Sequence, residues 1–223
     1  MVDDKLVESL FGWIGLAIST YFYLSPVVPF IKVVKGEMKY QDSPGVLLLC
    51  NIMNCILWID YGLMDDSFQV YLTCTIGGFL TLIWSTIYLI FLAKKILFLG
   101  LLYNILLLTT TFIVTYVFYF ICDKKITGIA AMVFNTLMLA APGEKIYTVI
   151  TTGKYKLIPI FSTIGSLLCA GSWFMFGVYK ADLNLIIPNG LGLIFGAFQL
   201  IVYCIFYRKS KEKITPNDDD LVI

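Results

Sequence analysis

The chain has 223 residues, of which 59% are hydrophobic and 14% are charged, and its mean hydropathy is +0.87 with a net charge of +1. This balance excludes an ordinary water-soluble domain and is typical of an integral membrane protein. The absence of histidine removes the commonest metal ligand and makes a Ser/His/Asp catalytic arrangement impossible. We therefore predict that the protein is not an enzyme and uses no metal and no cofactor.

Seven apolar stretches of about 20 residues are each long enough to cross a bilayer as a helix. In chain order they are Leu10–Val33, Pro44–Leu63, Phe68–Ala93, Ile96–Cys122, Ile126–Ile150, Leu157–Tyr179 and Leu185–Tyr207. An odd number of spans places the two termini on opposite sides of the membrane. Twelve of the sixteen lysines and arginines fall on the side of the C-terminus. Cytoplasmic loops are enriched in these residues, so the N-terminus is predicted outside and the C-terminus in the cytosol.

The first three spans and the last three spans are copies of one another. The matched pairs lie 115 or 116 residues apart and are Pro26 and Pro142, Pro44 and Pro159, Trp58 and Trp173, and Gly62 and Gly177. The fourth span has no counterpart. Three spans alone would insert the second copy upside down in the membrane. The fourth span reverses this, so both copies have the same orientation and are related by an axis along the membrane normal.

The sequence therefore predicts an all-α membrane protein of seven transmembrane helices, with two parallel three-helix repeats joined by one linker helix. We expect the first three-helix bundle in residues 1–95, the linker helix in 96–122 and the second bundle in 123–208. Residues 209–223 are basic and then acidic, and we expect a disordered cytosolic tail there.

Four motifs point to a known family. They are Ser25-Pro26-Val27, Trp58-x-x-Tyr61-Gly62-Leu63, Phe134-Asn135 followed by Ala141-Pro142, and Ile187-Pro188-Asn189-Gly190-Leu191-Gly192. Over about residues 10–208 the chain resembles the SWEET family of sugar transporters, part of the PQ-loop (MtN3/saliva) superfamily. The resemblance implies a bidirectional uniporter that moves mono- or disaccharides down their gradient by alternating access of two helix bundles.

The two repeated tryptophans are the first candidates for sugar contact. Trp58 and Trp173 each lie 14 residues after a repeat proline, about 21 Å along a helix. An indole ring can lie against the C–H face of a sugar while its N–H donates to a hydroxyl. Asn54 and Cys169 precede them by one turn and share their helix faces. An interfacial aromatic belt is the alternative interpretation of the tryptophans.

The resemblance extends the substrate-binding set to nine positions. The family usually carries an asparagine in both the third and the seventh span, whereas here the position that matches Asn189 holds a cysteine. Hydrogen bonding between helices is the alternative role of the amides, and core packing is the alternative for the apolar members. The complete set is Asn54, Trp58, Trp173, Asn189, Cys169, Cys74, Phe22, Leu137 and Ser19.

The resemblance also implies two gates. Tyr61 and Asp182 match positions that meet across the extracellular gate, where a phenol and a carboxylate can form a hydrogen bond. Family members often have a lysine where Asp65 stands, and we expect Lys180 to compensate for this change. Four prolines match flexible points near the cytosolic gate; for Pro44 and Pro159, a helix start is the alternative. They are Pro26, Pro44, Pro142 and Pro159.

The expected partners are a small sugar and the lipid bilayer, without nucleic acid. The family makes the plasma membrane the default location and leaves a homotrimer open. Two alternative functions remain at this point: a PQ-loop transporter of another small solute, such as an amino acid, and a seven-helix receptor. The internal repeat argues against a receptor. Pro26-Val27 and Pro142-Gly143 stand where the other PQ-loop proteins favour Pro-Gln pairs.

Overall fold

The computed structural model describes residues 3–37, 45–92, 97–139 and 141–212. Within these ranges the chain forms nine α-helices, a π-helical segment at Tyr116–Ile121 and a short 3₁₀ turn at Tyr155–Leu157. The predicted all-α membrane fold is confirmed. The helices are α1 (Asp4–Leu24), α2 (Val27–Val34), α3 (Gly45–Met64), α4 (Phe68–Leu92), α5 (Leu97–Thr115), α6 (Lys124–Met138), α7 (Ala141–Thr152), α8 (Ile160–Lys180) and α9 (Leu183–Glu212).

Helix breaks divide two of the predicted spans. The first span consists of α1 and α2, which are separated by Ser25 and Pro26. The fifth consists of α6 and α7, and Pro142 is the second residue of α7. Proline has no backbone N–H and its ring clashes with the preceding turn, so a helix tends to end before it. The two breaks therefore occur at equivalent places in the two copies.

Four helices among the described residues are long and apolar enough to span a membrane, namely Asp4–Leu24, Phe68–Ile87, Ile160–Lys180 and Leu183–Ser210. The fourth predicted span contains a shorter apolar helix, Ile105–Ile121. Large apolar side chains lie on the outer surface of these helices, where lipid is the favourable solvent. Phe161 (88% exposed) and Phe112 (74%) are examples.

Six helices form a ring. Around it, α1 packs on α4, α4 on α3, α3 on α6, α6 on α9, α9 on α8, and α8 on α1. The linker helix α5 packs on α3 and α4. The helices that correspond in the two copies, α1 with α6, α3 with α8 and α4 with α9, occupy opposite positions of this ring. The space at the centre of the ring is therefore surrounded by three helices of each copy.

The turn from α3 to α4 and the turn from α8 to α9 have the same geometry. Asp66 and Ala181 both adopt left-handed backbone, with φ of 49° and 57°. The next residue in each turn donates its N–H to the carbonyl of the matched glycine at 2.9 Å, from Ser67 to Gly62 and from Asp182 to Gly177. The two copies therefore match in backbone geometry as well as in sequence at these turns.

Both ends of the chain differ slightly from the prediction. Helix α1 begins at Asp4, six residues before the predicted span, because the Asp3 carboxylate accepts from the Lys5 N–H and caps the helix. Helix α9 continues to Glu212, so the prediction of disorder is wrong for residues 209–212. Residues 213–223 lie outside the described part of the chain.

Replacing Gly62 by alanine should lower the thermal stability of the detergent-solubilised protein. A Cβ at this position would lie 2.9 Å from the Tyr71 backbone nitrogen, and two packed backbones cannot separate without moving α3 from α4. Overpacking of this kind costs about 1–3 kcal/mol. The matched control is Gly143→Ala in α7, where a Cβ would meet nothing within 4 Å. Equal melting temperatures for the two variants would contradict the expected close approach.

Candidate substrate site

A cavity of about 180 Å³ lies inside the ring of helices. All six helices of the ring contribute to its wall, and none of the described residues that line it has a charged side chain. The wall is formed by Ser19, Tyr23, Asn54, Trp58, Val70, Thr73, Cys74, Asn135, Cys169, Trp173, Leu185 and Asn189. Seven of the nine sequence-predicted substrate positions are in this set.

Trp173 is fixed against the first helix of the other bundle. Its Nε1 donates to Ser19 Oγ at 3.0 Å, and Ser19 Oγ lies 3.3 Å from Cys169 Sγ. Gly15 makes this approach possible, since a Cβ there would lie 2.8 Å from the indole ring. The indole edge thus faces α1. A hydroxyl that enters the site therefore meets Ser19 and Trp173 as one connected group.

Trp58 and Asn54 form the opposite wall. The Trp58 ring meets Tyr61 edge to face at 5.6 Å, as the Trp173 ring meets Phe176 at 5.5 Å. Asn54 is 9% exposed, and among the described residues its Oδ1 has no hydrogen-bond partner. A buried amide oxygen without a partner is unfavourable. A donor from a bound ligand would remove this penalty.

The amides of the cavity are arranged unevenly. Asn189 donates Nδ2 to the Leu185 carbonyl at 2.8 Å, which leaves its Oδ1 as an acceptor. Its repeat counterpart is the thiol of Cys74, as the sequence predicts. Asn135 lies in the wall from α6. It is the third amide of the cavity and was absent from the predicted site.

Two predicted pocket residues are not in the wall. Leu137 is 67% exposed and lies on the lipid side of α6. Phe22 packs toward α8, where a Cβ on Gly165 would lie 3.0 Å from its ring. The helical period turns the residue after Phe22 toward the cavity instead. Sequence reasoning thus missed Tyr23, together with Val70, Thr73, Asn135 and Leu185; the repeat could have indicated Val70 and Leu185, which match each other at 115 residues.

A hydrogen-bonded cluster closes the end of the cavity near the α3–α4 turn. Tyr61 Oη donates to Asp182 Oδ2 at 2.8 Å, and Asn184 Nδ2 donates to Tyr61 Oη at 3.2 Å. Tyr61 and Asp182 are 2% and 9% exposed. They belong to different bundles, so separation of the bundles at this end must break this bond.

A second contact between the bundles lies nearer the surface. The Asp65 carboxylate pairs with Lys180 at 2.9 Å and with Lys124 at 3.0 Å. Lys180 also bonds to Ser67 Oγ and to the Asp65 carbonyl oxygen. Burial raises the pKa of Asp65, but hydrogen bonds from Lys180, Ser67 and Lys124 outweigh it and hold that pKa below its ordinary value. Asp65 is therefore paired with two cations of the second bundle.

The four repeat prolines have different positions. Pro26 lies at the break between α1 and α2, and Pro142 lies at the start of α7. Pro159 is the N-cap residue of α8. It therefore stands at a helix start, which was the alternative to a flexible point in the sequence analysis. Pro44 lies outside the described residues. Among the residues that the structure describes, no group of three or more His, Cys, Asp or Glu side chains is arranged to hold a metal ion.

The chain is similar to known transporters over nearly its whole length. A family model described as "Sugar efflux transporter for intercellular exchange" matches residues 9–96 and 125–211. The bidirectional sugar transporter SWEET1a of Sorghum bicolor is 32% identical, with 96% of this chain and 81% of that protein covered. SWEET1 of Arabidopsis thaliana, with the same description, is 31% identical over 97% of this chain and 90% of that protein.

The fold has a close counterpart among solved structures. A eukaryotic SWEET transporter superimposes with a TM-score of 0.83 at 22% identity, covering 92% of this chain and 99% of that one. The family model matches the two repeats separately and well over half of the chain. This chain belongs to the SWEET family of sugar efflux transporters.

Proposed function

We propose that this protein carries a neutral sugar down its concentration gradient, in either direction, by alternating access. The observation that carries the proposal is the cavity between the two bundles, where the described wall contains two tryptophans, amides and a serine hydroxyl but no charged side chain. Aromatic faces with a few placed hydrogen-bonding groups suit an amphipathic neutral ligand. The names of the sugar-transporting relatives support the same substrate class.

Alternating access follows from the positions of the breaks and the gate. The outer cluster of Tyr61 and Asp182 is closed, and the helix breaks lie toward the other end of the first helix of each copy. A break permits the two parts of a span to change their angle. We infer that the bundles rock about the central cavity, with the outer cluster and the cytosolic helices opening in turn. The prolines at the breaks serve as hinges.

The division into bundles belongs to the same proposal. Residues 1–95 and 123–208 act as the two moving bodies, and 96–122 acts as the linker that makes them parallel. The two-part family match, which leaves residues 97–124 out, supports this division. The protein lies in the plasma membrane with its N-terminus outside and functions as a transporter without enzyme activity.

The direct test is uptake of labelled sugars into liposomes that contain the purified protein. We expect counterflow of a monosaccharide, and we expect neither its rate nor its end point to respond to an imposed pH gradient, because no acidic side chain is among the described residues of the cavity wall. Empty liposomes give the background. Accumulation of sugar driven by the pH gradient would exclude an uncoupled mechanism, and uptake of amino acids in place of sugars would exclude the substrate class.

A further inference from the structure

The cavity wall is built from repeat pairs with two exceptions. The paired members, at offsets of 115 or 116 residues, are Ser19 and Asn135, Asn54 and Cys169, Trp58 and Trp173, Val70 and Leu185, and Cys74 and Asn189. Thr73 and Tyr23 are in the wall without a paired lining residue. Thr73 donates its hydroxyl to the Gln69 carbonyl at 2.7 Å within its own helix. Among the described residues of the wall, Tyr23 is thus the one large side chain without a repeat partner in the cavity.

Tyr23 lies at the end of the cavity nearest the helix break. Four positions on one face of α1 meet the second bundle or the cavity in succession. Gly12 approaches Phe176, Gly15 and Ser19 approach Trp173, and Tyr23 follows one turn later. The four residues from Ser19 to Tyr23 rise about 6 Å along the helix, and the break at Ser25 and Pro26 follows directly. The Tyr23 ring therefore bounds the cavity on the side opposite the outer cluster.

Three contacts hold Tyr23 in this position. Its ring lies against Gly77 of α4, where there is no room for a Cβ. The Trp84 indole N–H donates to the Tyr23 carbonyl at 2.9 Å, an oxygen near the C-terminal end of α1, where helical carbonyls lack partners. The Cys55 thiol donates to the phenolic oxygen at 3.7 Å. A side chain anchored at both its ring and its backbone forms a fixed wall.

The phenol is able to bind a ligand in this position. The Cys55 thiol and the phenolic oxygen are 3.7 Å apart, a long contact that leaves the phenol able to form a hydrogen bond with a sugar hydroxyl. Thiols are weak donors, and a sugar hydroxyl competes well with one for the phenol. The cavity volume of about 180 Å³ is below the range of about 300–1,000 Å³ that drug-sized ligands occupy. This volume suits one sugar ring.

We propose that Tyr23 sets the size limit of the site, so that a monosaccharide is carried and a disaccharide is excluded, and that its phenol donates to a hydroxyl of the bound ring. This inference rests on the proposed function. The residue determines specificity through its contact with substrate. Its counterpart at 116 residues, Leu139, offers no hydrogen bond, so the orientation of the sugar between the two bundles is fixed by the first bundle.

The experiment compares labelled glucose and sucrose in liposomes with the wild-type protein and two variants. Tyr23→Ala should raise the ratio of sucrose to glucose transport by about tenfold or more, because a ring-sized part of the wall is removed. Tyr23→Phe keeps the volume and loses the hydroxyl. It should raise the half-saturation concentration for glucose by about three- to tenfold, which is the loss of affinity expected for one hydrogen bond. The ratio of sucrose to glucose transport should stay unchanged.

Tyr21→Ala and Tyr21→Phe are the matched controls, because Tyr21 lies on the same helix and is 70% exposed on the lipid side. Both should leave the sugar ratio and the half-saturation concentration unchanged. If Tyr23→Ala is not monodisperse after purification, Tyr23→Leu provides the smaller side chain. An unchanged sugar ratio in the small variants, or sucrose transport by the wild-type protein equal to glucose transport, would overturn the proposal. Absence of any sugar transport by the wild-type protein would instead contradict the proposed function.

Discussion

Replacement of Trp173 by alanine should abolish measurable sugar exchange while the protein remains folded in detergent. The variant loses the ring that faces the cavity and the N–H that donates to Ser19 at 3.0 Å. One hydrogen bond and one aromatic contact together contribute about 1–3 kcal/mol to binding, which corresponds to a roughly 5- to 150-fold loss of affinity. Labelled-sugar counterflow in liposomes measures this loss, and gel filtration checks the fold.

The control for this prediction is Trp13→Ala. Trp13 is on the outer surface at 46% exposed, and its ring contacts Phe68 rather than the cavity. Removal of an indole is therefore the same chemical change away from the site. Trp173→Phe separates the two contributions, since it keeps an aromatic face and loses the donor, and we expect an intermediate rate. Near-normal exchange in Trp173→Ala would remove this residue from the substrate site.

Loss of the charge pair between Asp65 and Lys180 should open the end of the transporter that we propose to be extracellular. Both side chains are largely buried, at 10% and 21% exposed, and their atoms lie 2.9 Å apart. Charge-assisted hydrogen bonds of this kind contribute about 1–3 kcal/mol, so the closed state should become about 5- to 150-fold less favoured. A membrane-impermeant thiol reagent added outside should then label Cys169 of the cavity wall faster in Asp65→Asn and in Lys180→Met.

Four variants complete this experiment. The double variant should label no faster than the more affected single variant, because each substitution removes the same interaction. Asp66→Asn is the control for charge, because it removes the exposed carboxylate next to Asp65. Asparagine also tolerates the left-handed backbone at position 66. Cys169→Ser identifies the labelling that belongs to Cys169, and Cys74→Ser identifies that of the second thiol in the cavity wall. Additive effects of the two single substitutions would show that Asp65 and Lys180 act separately.

The ion pair between Asp65 and Lys180 should also remain intact at neutral and mildly acidic pH. The folded pKa of Asp65 is below its ordinary value, so its contribution is fully present above about pH 3.9 and is lost as the pH falls through the lower folded value. The raised pKa of Lys124, caused by the Asp65 carboxylate, extends pairing at the basic end. The ratio of Cys169 labelling between Asp65→Asn and the wild-type protein should therefore be constant between about pH 5 and pH 7.5.

Much of the architecture is predictable from the sequence because the bilayer allows few solutions. A backbone that crosses hydrocarbon must satisfy its own hydrogen bonds, so seven apolar stretches predict helices directly. The repeat of prolines, tryptophans and glycines at 115 or 116 residues predicts two parallel copies. Even the contact between Lys180 and Asp65 could be anticipated, since an unusual acid in a loop requires a nearby cation. Each of these conclusions depends on local chemistry or on a count of spans.

The cavity wall was harder to predict because it depends on helix rotation. Phe22 and Tyr23 are neighbours in the sequence, yet one residue turns a helical side chain by about 100°, and only Tyr23 reaches the cavity. The same rotation places Leu137 toward lipid and Asn135, two residues earlier, in the wall. An apolar sequence in a membrane gives little periodic contrast between its lipid face and its inner face.

The sequence by itself determined that this is a membrane protein, and it also determined the helices, the duplication and the family. These follow from composition and from motifs that are local or regularly repeated. The tertiary structure decided which side chains meet inside the cavity. It placed the Trp173 indole N–H on Ser19, across 154 residues of chain, and it fixed the Tyr23 ring beside Gly77. Such contacts depend on the packing distance and rotation of whole helices, which are set by many side chains at once.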